Sequence, residues 1–265
     1  MAAAPKLAAG NAARAAAETP EDSALVVSRT MWGPGNVTPV DHSVGATAIV
    51  KLGMVPKSTL GFIGCSLGER LYRYAKDTDI WVDAFETDAV TVGPRIKHKS
   101  IKLNGWKTAP ALFKANRYTT VIISQPSCVC PSLDTVFGQA AHGLKTGGVL
   151  YAVDLMRCAA DTPAIAGPTR QSLRTQDEHK AALDAAGFAI ENEFDLTPDL
   201  METIRAGFIK ALEMFSELQE AEEPEKTQRQ HALVKQLEIW GPLYLMARKR
   251  MLCAMGFLVV KRNPA

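Results

Sequence analysis

The segment at residues 60–88 constrains the fold of this chain more than any other. An apolar run leads into the glycine turn Gly-Cys-Ser-Leu-Gly at residues 64–68, and a helical pattern then leads to a second apolar run at residues 80–85. Glu86 closes that run, 22 residues after Gly64. This order is typical of a crevice for a nucleotide-like ligand, because backbone can approach the ligand at the turn and the acid can accept ribose hydroxyls.

Strand and helix patterns alternate as far as residue 195. The β-branched, apolar run at residues 118–124 is typical of a strand buried on both faces of a parallel sheet. The strands are predicted at residues 59–64, 80–85, 100–103, 118–124, 149–155 and 188–194, and the helices at residues 67–76, 133–143 and 175–186. This alternation predicts a doubly wound α/β sheet. A last apolar strand at residues 256–260 is expected at an edge of the sheet.

The first part of the chain predicts little regular structure. Residues 1–24 are alanine-rich, reach a stop at Pro-Glu-Asp (20–22), and lack the compact apolar core of a secretory signal. We predict a disordered tail there, with an organellar transit peptide as the alternative, and one domain at residues 25–265. Two prolines and two glycines at residues 32–40 predict an irregular arm, and Asp41 or Ser43 would cap a helix at residues 44–52.

Residues 197–250 break the alternation with a long amphipathic block. Apolar residues recur at helical spacing in two groups: Leu200, Ile204, Phe208, Leu212 and Phe215, then Leu233, Leu237, Trp240, Leu243 and Met246. The pattern favours packing against the sheet and between the two helices. A lid that completes a substrate pocket, or a surface for a homodimer or a protein partner, is the alternative use of this block.

Composition excludes several partners. A net charge of +2 provides no global field for nucleic acid, and no run of about 18 apolar residues could span a membrane. The five cysteines form no CxxC pair, which favours reduced thiols in a cytoplasmic protein. Cys128 and Cys130 lack companion ligands at metal spacing, so we expect no metal site.

Two further turns complete a family pattern. Leu-Lys-Thr-Gly-Gly at residues 144–148 precedes one predicted strand, and Ala-Gly-Phe at residues 186–188 precedes another. With the glycine turn and Glu86, their order resembles that of the class I S-adenosylmethionine-dependent methyltransferases over residues 30–262. The resemblance implies a mostly parallel, seven-stranded sheet with an antiparallel last strand and a helical insertion before it.

The same resemblance implies S-adenosyl-L-methionine as cofactor and a set of residues to hold it. That set is Gly64, Cys65, Ser66, Gly68, Glu86, Thr87, Asn104 and Gln125. Glu86 would accept both ribose hydroxyls, although a surface acid near a strand end would give the same sequence. The chain departs from the family at Phe62, where an acid is usual, at Ser66, where glycine is usual, and at the end of the third strand, where Asn104 or Gly105 replaces an acid.

Residues that could contact the substrate have weaker sequence signals than those predicted to hold the cofactor. Gln-Pro-Ser at residues 125–127 follows the fourth strand, where the family places a loop between cofactor and substrate, although a plain turn would read the same. Trp32 and Thr38 of the arm could cover the cofactor or form a structural clasp, and Trp106 could stack on adenine or pack in the core. His42, His142 and His179 are candidate bases, with a structural role as the alternative for each. No catalytic dyad is visible.

These observations lead to two hypotheses. The first is S-adenosylmethionine-dependent methyl transfer to a small-molecule acceptor, a reaction that mainly needs alignment of the reacting atoms and exclusion of water. The second is a catalytically silent module with the same fold that binds a protein partner or plays a regulatory role. The departures at Phe62 and Ser66 favour the second, and the order of the turns favours the first.

Overall fold

The computed structural model describes residues 20–41, 44, 52, 57–64, 79–86, 100–105, 113–130, 132–168, 171–220 and 225–262. For residues 20–22, 86, 101 and 103–105 the backbone alone is described. Several predictions lie outside the described residues: the helix at 67–76, most of the helix at 44–52, and the residues His42, Cys65, Ser66, Gly68, Thr87 and Trp106.

A seven-stranded sheet forms the centre of the described protein, with the strand order β3-β2-β1-β4-β5-β7-β6. The strands are β1 (Thr59–Ile63), β2 (Trp81–Glu86), β3 (Ile101–Gly105), β4 (Tyr118–Ser124), β5 (Leu144–Arg157), β6 (Phe188–Asp195) and β7 (Leu252–Lys261). Strands β1 to β5 pair in parallel, and β7 runs antiparallel to both β5 and β6. The predicted mostly parallel sheet with an antiparallel last strand is confirmed.

The predicted position of the last strand at an edge is wrong. Strand β7 lies between β5 and β6, and its register with β5 runs without interruption from Leu252 opposite Arg157 to Val260 opposite Val149. The prediction began at Gly256 and missed the apolar residues before it. A near-continuous apolar run of this length suits an interior strand, because both faces of the strand are covered.

Helices cover both faces of the sheet. They are α1 (Pro20–Trp32), α2 (Pro126–Val129), α3 (Leu133–Gly143), α4 (Gln176–Ala185), α5 (Thr197–Glu217) and α6 (Glu225–Arg248). Helices α1, α5 and α6 share one apolar core with inward residues of β1, β2, β4 and β5, while α3 and α4 contribute to a second core on the opposite face. None of the described helices is long and apolar enough to cross a bilayer.

Helix α1 corrects the predicted boundary of the tail. Residues 20–24 belong to this helix, with Ser23 buried against α6 and its hydroxyl 3.3 Å from the side-chain oxygen of Gln228. The predicted stop at Pro20 is wrong, because proline is favoured in the first turn of a helix, where its missing N–H has no intrahelical partner to lose. The irregular arm begins where α1 ends, as predicted.

The apolar stripe of α5 also differs from the predicted one in its second half. Leu200 and Ile204 are buried as expected, whereas Leu212 is 71% exposed and Phe215 is 47% exposed. The buried stripe continues instead through Gly207, Ala211, Met214 and Leu218. Small residues at 207 and 211 let α5 approach α1 closely, because a Cβ on Gly207 would lie 2.2 Å from the Trp32 ring.

Of the two turns in the family pattern, the one after α4 forms as expected, with Gly187 at φ +82°, whereas residues 145–148 lie within strand β5 instead of in a tight turn. These residues form a bulge in β5, since its pairing with β4 shifts between Leu144 opposite Tyr118 and Val149 opposite Thr120. Helix α4 begins with the predicted capping box of Thr175 and Glu178. Burial acts to raise the pKa of Glu178, but hydrogen bonds from Thr175 and the charge of Arg174 outweigh it and hold this pKa below its usual range.

Candidate functional site

The order of the strands reverses beside β1. The chain passes from β1 outward to β2 and β3, and then returns to place β4 on the other side of β1. Open α/β sheets bind ligands at this point, in the crevice outside the carboxyl ends of the strands. Gly64 follows β1 and Gln125 follows β4, so two of the predicted site residues lie at this crevice.

Gly64 is required by two features of its surroundings. Its φ is +73°, in the left-handed region that favours glycine. An added Cβ would lie 2.6 Å from the carbonyl oxygen of Ser124, the last residue of β4. Its N–H donates to the carbonyl of Phe85 at 3.0 Å. Gly64 therefore joins the carboxyl ends of β4 and β2 through its own backbone.

Glu86 and Asn104 lie at the same edge. Phe85 pairs with Ile63 of β1, which places the next residue, Glu86, level with Gly64 on the neighbouring strand, about 5 Å away between strand axes. Glu86 pairs in turn with Gly105, and Phe85 with Asn104. The backbone thus brings the predicted ribose-binding acid to the crevice, while the side chains of Glu86 and Asn104 are not described.

Gln125 connects the crevice to the arm. It adopts a left-handed conformation with φ 55° and ψ 59°, and its N–H donates to the carbonyl of Val153 on β5 at 2.7 Å. Its side-chain amide donates to the Thr38 hydroxyl at 2.9 Å. The arm therefore lies over the end of β4, which agrees with the predicted place of Thr38.

Asp41 lies at the crevice and has a role other than the predicted helix cap. It was expected to cap the following helix, but its Oδ2 accepts the N–H groups of Val37 and Thr38 at 3.1 and 2.8 Å. Its Oδ1 accepts the hydroxyl of Ser124 at 3.2 Å, in a buried environment. The sequence Thr-Pro-Val-Asp at residues 38–41 is a capping-box pattern with proline at the first helical position, so a signal was present.

Trp32 does not reach the crevice. It is 2% exposed, and its indole N–H donates to the Gln236 side chain at 3.1 Å. Its ring packs edge-to-face on Trp240, with centroids 6.0 Å apart. Of the two interpretations of Trp32, the structural clasp between α1 and α6 is the one that the contacts support.

His179 belongs to a buried network below the loop that follows β4. Its Nδ1 lies 2.8 Å from the carbonyl of Thr175, which can only accept, so Nδ1 carries a hydrogen. Its Nε2 lies 2.9 Å from Asp154 Oδ2 and 3.4 Å from the Ser127 hydroxyl. Asp154 Oδ2 also accepts the N–H of Ser127 at 2.8 Å.

This network makes His179 a positioning residue rather than a base. Both ring nitrogens are engaged and the residue is 1% exposed, so no substrate atom can reach it in this arrangement. The Asp154 carboxylate instead holds the backbone of Ser127. His142 lies in the last turn of α3, which leads into the amino end of β5 and therefore to the edge of the sheet opposite the crevice.

A separate cavity opens at the same edge as the crevice, beyond β5. Its volume is about 770 Å³, and it lies between the start of α5, the end of α6 and the ends of β5, β6 and β7. Cys158 and Cys253 lie side by side in its wall. Burial raises the pKa of Cys253 to about 12, helped by the neighbouring Cys158 thiol and the charge of Asp195. No cluster of three metal-binding side chains occurs among the described residues.

Comparisons with known proteins identify the class of fold. No protein-family model and no curated protein matches the chain. Among solved structures, phosphoethanolamine N-methyltransferase 2 of Haemonchus contortus, with S-adenosylhomocysteine, matches with a TM-score of 0.75 and 12% identity over 92% of this chain. This chain covers 58% of that protein, less than two thirds of its length.

Two further structures extend the comparison. The cyclase SpnF matches with a TM-score of 0.65 and 15% identity, over 86% of this chain and 82% of that chain. A geranyl diphosphate C-methyltransferase from Streptomyces coelicolor matches with a TM-score of 0.61 and 12% identity, over 83% and 79% of the two chains. The protein has the fold of the class I S-adenosylmethionine-dependent methyltransferases. Because one match is named a cyclase, this fold alone does not define the reaction.

Proposed function

We propose that this protein transfers a methyl group from S-adenosyl-L-methionine to a small-molecule acceptor. The observation that carries the proposal is the place of Gly64, whose positive φ and contact with Ser124 close the strand-order reversal while Glu86 ends the neighbouring strand. A backbone turn and a strand-end acid at this place are what a nucleoside group needs. The solved structures with this fold include several with S-adenosylmethionine or its product bound, which agrees with this assignment.

The residues present fit such a cofactor in part. Gly64 and Glu86 would hold its nucleoside end, and Gln125 with the arm would border its reactive end; Cys65, Ser66, Gly68, Thr87 and Asn104 remain predictions. When bound, the cofactor supplies an activated methyl group on a sulfonium. The chain itself has to orient the acceptor and exclude water. The hydrogen bond from Ser124 to Asp41 contributes by holding the arm in place over the crevice.

Calorimetric titration with S-adenosylmethionine and S-adenosylhomocysteine tests this proposal. We expect micromolar binding that Glu86→Ala weakens at least tenfold, since the acid would make two charge-assisted hydrogen bonds. Glu191→Ala is the matched control, because Glu191 is an exposed acid on strand β6. Absence of binding at millimolar cofactor, or equal loss in the two variants, would rule out the assignment.

The second hypothesis, a catalytically silent module, has support of its own. Phe62, at the position where the family usually has an acid, is 5% exposed and belongs to the core shared with α1, α5 and α6. Helix α5 also presents Ile209, Leu212 and Phe215 to solvent. A homodimer or a protein partner would cover this face. A protein that binds no cofactor and elutes as a larger assembly in light scattering would favour this function.

The reduced cysteines predicted from the sequence fit a cytoplasmic location, which we retain as part of the proposal. Among the described residues, Cys128, Cys130, Cys158 and Cys253 form no disulfide bond. The helices α5 and α6 that wall the large cavity are the part of the chain we propose as the substrate lid.

A further inference from the structure

We infer that the cavity between α5, α6 and β7 is a binding site for a small amphiphilic anion, held at its charged end by Arg248 and Arg250. None of the predicted site residues that the structure describes lines this cavity. The inference concerns ligand binding only and does not depend on methyl transfer. An experiment on this cavity therefore tests it separately from the proposed function.

The topology places this cavity on the functional edge of the sheet. Strand β6 ends at Asp195 and leads into α5, and α6 ends just before β7. Because β7 is antiparallel to β5, its start at Leu252 lies beside the carboxyl end of β5 at Arg157. Strand β5 extends four residues past Val153, which is level with the last residue of β4. The cavity thus lies beside the crevice and farther out along the strands.

The charged side chains that line the cavity differ in whether they already have a partner. Arg205 is paired with Glu202 through two hydrogen bonds, at 3.1 and 2.7 Å. Asp195 accepts the N–H of Thr197 at 2.9 Å. The guanidinium groups of Arg248 and Arg250 have no hydrogen bond or ion pair with any described residue, although both line the cavity. They are therefore the positive groups available to a ligand, and a guanidinium binds carboxylate or phosphate through two parallel hydrogen bonds.

The backbone of Arg250 makes this residue open to a sharp test. Helix α6 ends in a Schellman motif, in which the Met251 N–H donates to Met246 and the Arg250 N–H donates to Ala247, both at 3.0 Å. Arg250 occupies the left-handed position of this motif, with φ +56°. Glycine is the usual residue there, and this chain uses Gly187, with φ +82°, after α4. Arg250 therefore adopts a strained backbone conformation next to the cavity that it lines, and glycine would relieve this strain.

The remaining lining sets the size and character of the ligand. Met201, Tyr244 and Leu252 form an apolar wall next to the arginines. A volume of about 770 Å³ lies within the range of small-molecule sites, roughly 300–1,000 Å³. An anionic group with an apolar tail of moderate length matches this combination, whereas a bare inorganic anion would leave the apolar wall uncovered.

Titration calorimetry with octyl phosphate and octanoate, below their micelle-forming concentrations, tests the inference. We expect both probes to bind, and inorganic phosphate and octanol each to bind at least tenfold more weakly. Arg250→Gly should weaken octyl phosphate binding at least tenfold and raise the melting temperature by a few degrees, because the strain is removed with the charge. Arg248→Gln should weaken binding to a similar extent.

Lys57→Gly is the matched control. Lys57 is exposed, also has a positive φ (+67°), and precedes β1 at the opposite edge of the sheet. Its replacement removes one positive charge and one strained residue, and should leave octyl phosphate binding unchanged. Equal loss in Lys57→Gly and Arg250→Gly, equal binding of octanol, no binding at millimolar probe, or binding to anionic lipid vesicles but not to the free probes would each overturn the inference.

Discussion

Gly64 and Ser124 lie in direct backbone contact at the carboxyl ends of β1 and β4. The contact is closer than any other residue would allow, since a Cβ on Gly64 would lie 2.6 Å from the Ser124 carbonyl oxygen. Ser124 in turn donates its hydroxyl to Asp41 of the arm at 3.2 Å. The turn after β1, the end of β4 and the arm therefore form one connected unit, and a change at Gly64 should be felt in all three.

The first prediction concerns this contact. Gly64→Ala should destabilise the protein by about 3 kcal/mol or more, because it adds a steric clash with fixed backbone to the cost of a positive φ. Gly147→Ala is the control, since Gly147 has nearly the same φ, +71°, and no atom within 4 Å of an added Cβ. It should cost only about 1 kcal/mol. Urea unfolding measures both, and equal losses would show that the contact with Ser124 is unimportant.

The second prediction concerns the buried acid of β5. Asp154→Ala removes the acceptor of the Ser127 and Leu155 N–H groups and the partner of His179. Leaving several buried polar groups unsatisfied should cost about 3 kcal/mol or more. Asp161→Ala, in the exposed loop after β5, should change stability by less than about 0.5 kcal/mol. A loss at Asp154 no larger than at Asp161 would contradict the positioning role assigned to this network.

Local patterns predicted the sheet well because each strand is marked by its own residues. The run at residues 118–124 and the Ala-Gly-Phe turn formed where expected, since burial on both faces and the left-handed Gly187 leave few alternatives. The position of β7 was not predicted correctly because the pairing of strands depends on contacts across the whole sheet and not on local sequence. In the same way, Leu212 and Phe215 fit the helical spacing, but Trp32 packs against the other side of α5 at Gly207.

The candidate site was predictable only in its backbone. The positions of Gly64, Glu86 and Gln125 at the crevice could be predicted because turns and strand ends have local signatures; their roles in binding stay predictions. Asp41 and Asp154 act on partners 83 and 27 residues away, Ser124 and Ser127. Arg250 was missed because its strained conformation has no counterpart in the sequence pattern.

The third prediction follows from the raised pKa of Cys253. Its folded-state pKa of about 12 lies above the ordinary value of 9.0, mainly through burial. Its contribution to stability is therefore complete below pH 9 and is lost as the pH rises toward 12. At pH 9, iodoacetamide should modify the exposed Cys158 in the native protein and leave Cys253 largely unmodified, whereas both should react in guanidinium chloride.

A Cys158→Ser variant separates the causes of this shift. Because burial is the largest cause, Cys253 should stay protected in the native variant. Rapid modification of Cys253 after loss of Cys158 would show that the neighbouring thiol, rather than burial, keeps Cys253 protonated. Mass spectrometry of the alkylated peptides gives the extent of reaction at each cysteine.

The last prediction compares two buried tyrosines. The hydroxyl of Tyr151 has no hydrogen-bond partner among the described residues, and burial raises its pKa to about 12. The hydroxyl of Tyr118 donates to Asp83 at 2.9 Å, and burial followed by the charge of Asp83 raises its pKa as well. Tyr151→Phe should leave the free energy of unfolding unchanged or raise it by up to about 1 kcal/mol, because it removes an unsatisfied polar group.

Tyr118→Phe should lower the free energy of unfolding by about 1–2 kcal/mol, because a hydrogen bond to a charged acceptor is lost. Both substitutions remove a hydroxyl oxygen, so the difference between the two changes in unfolding free energy, measured with urea, combines the Tyr118 hydrogen bond with the cost of the unpaired Tyr151 hydroxyl. A larger loss at Tyr151 than at Tyr118 would show that the Tyr151 hydroxyl has a partner that stabilises the fold.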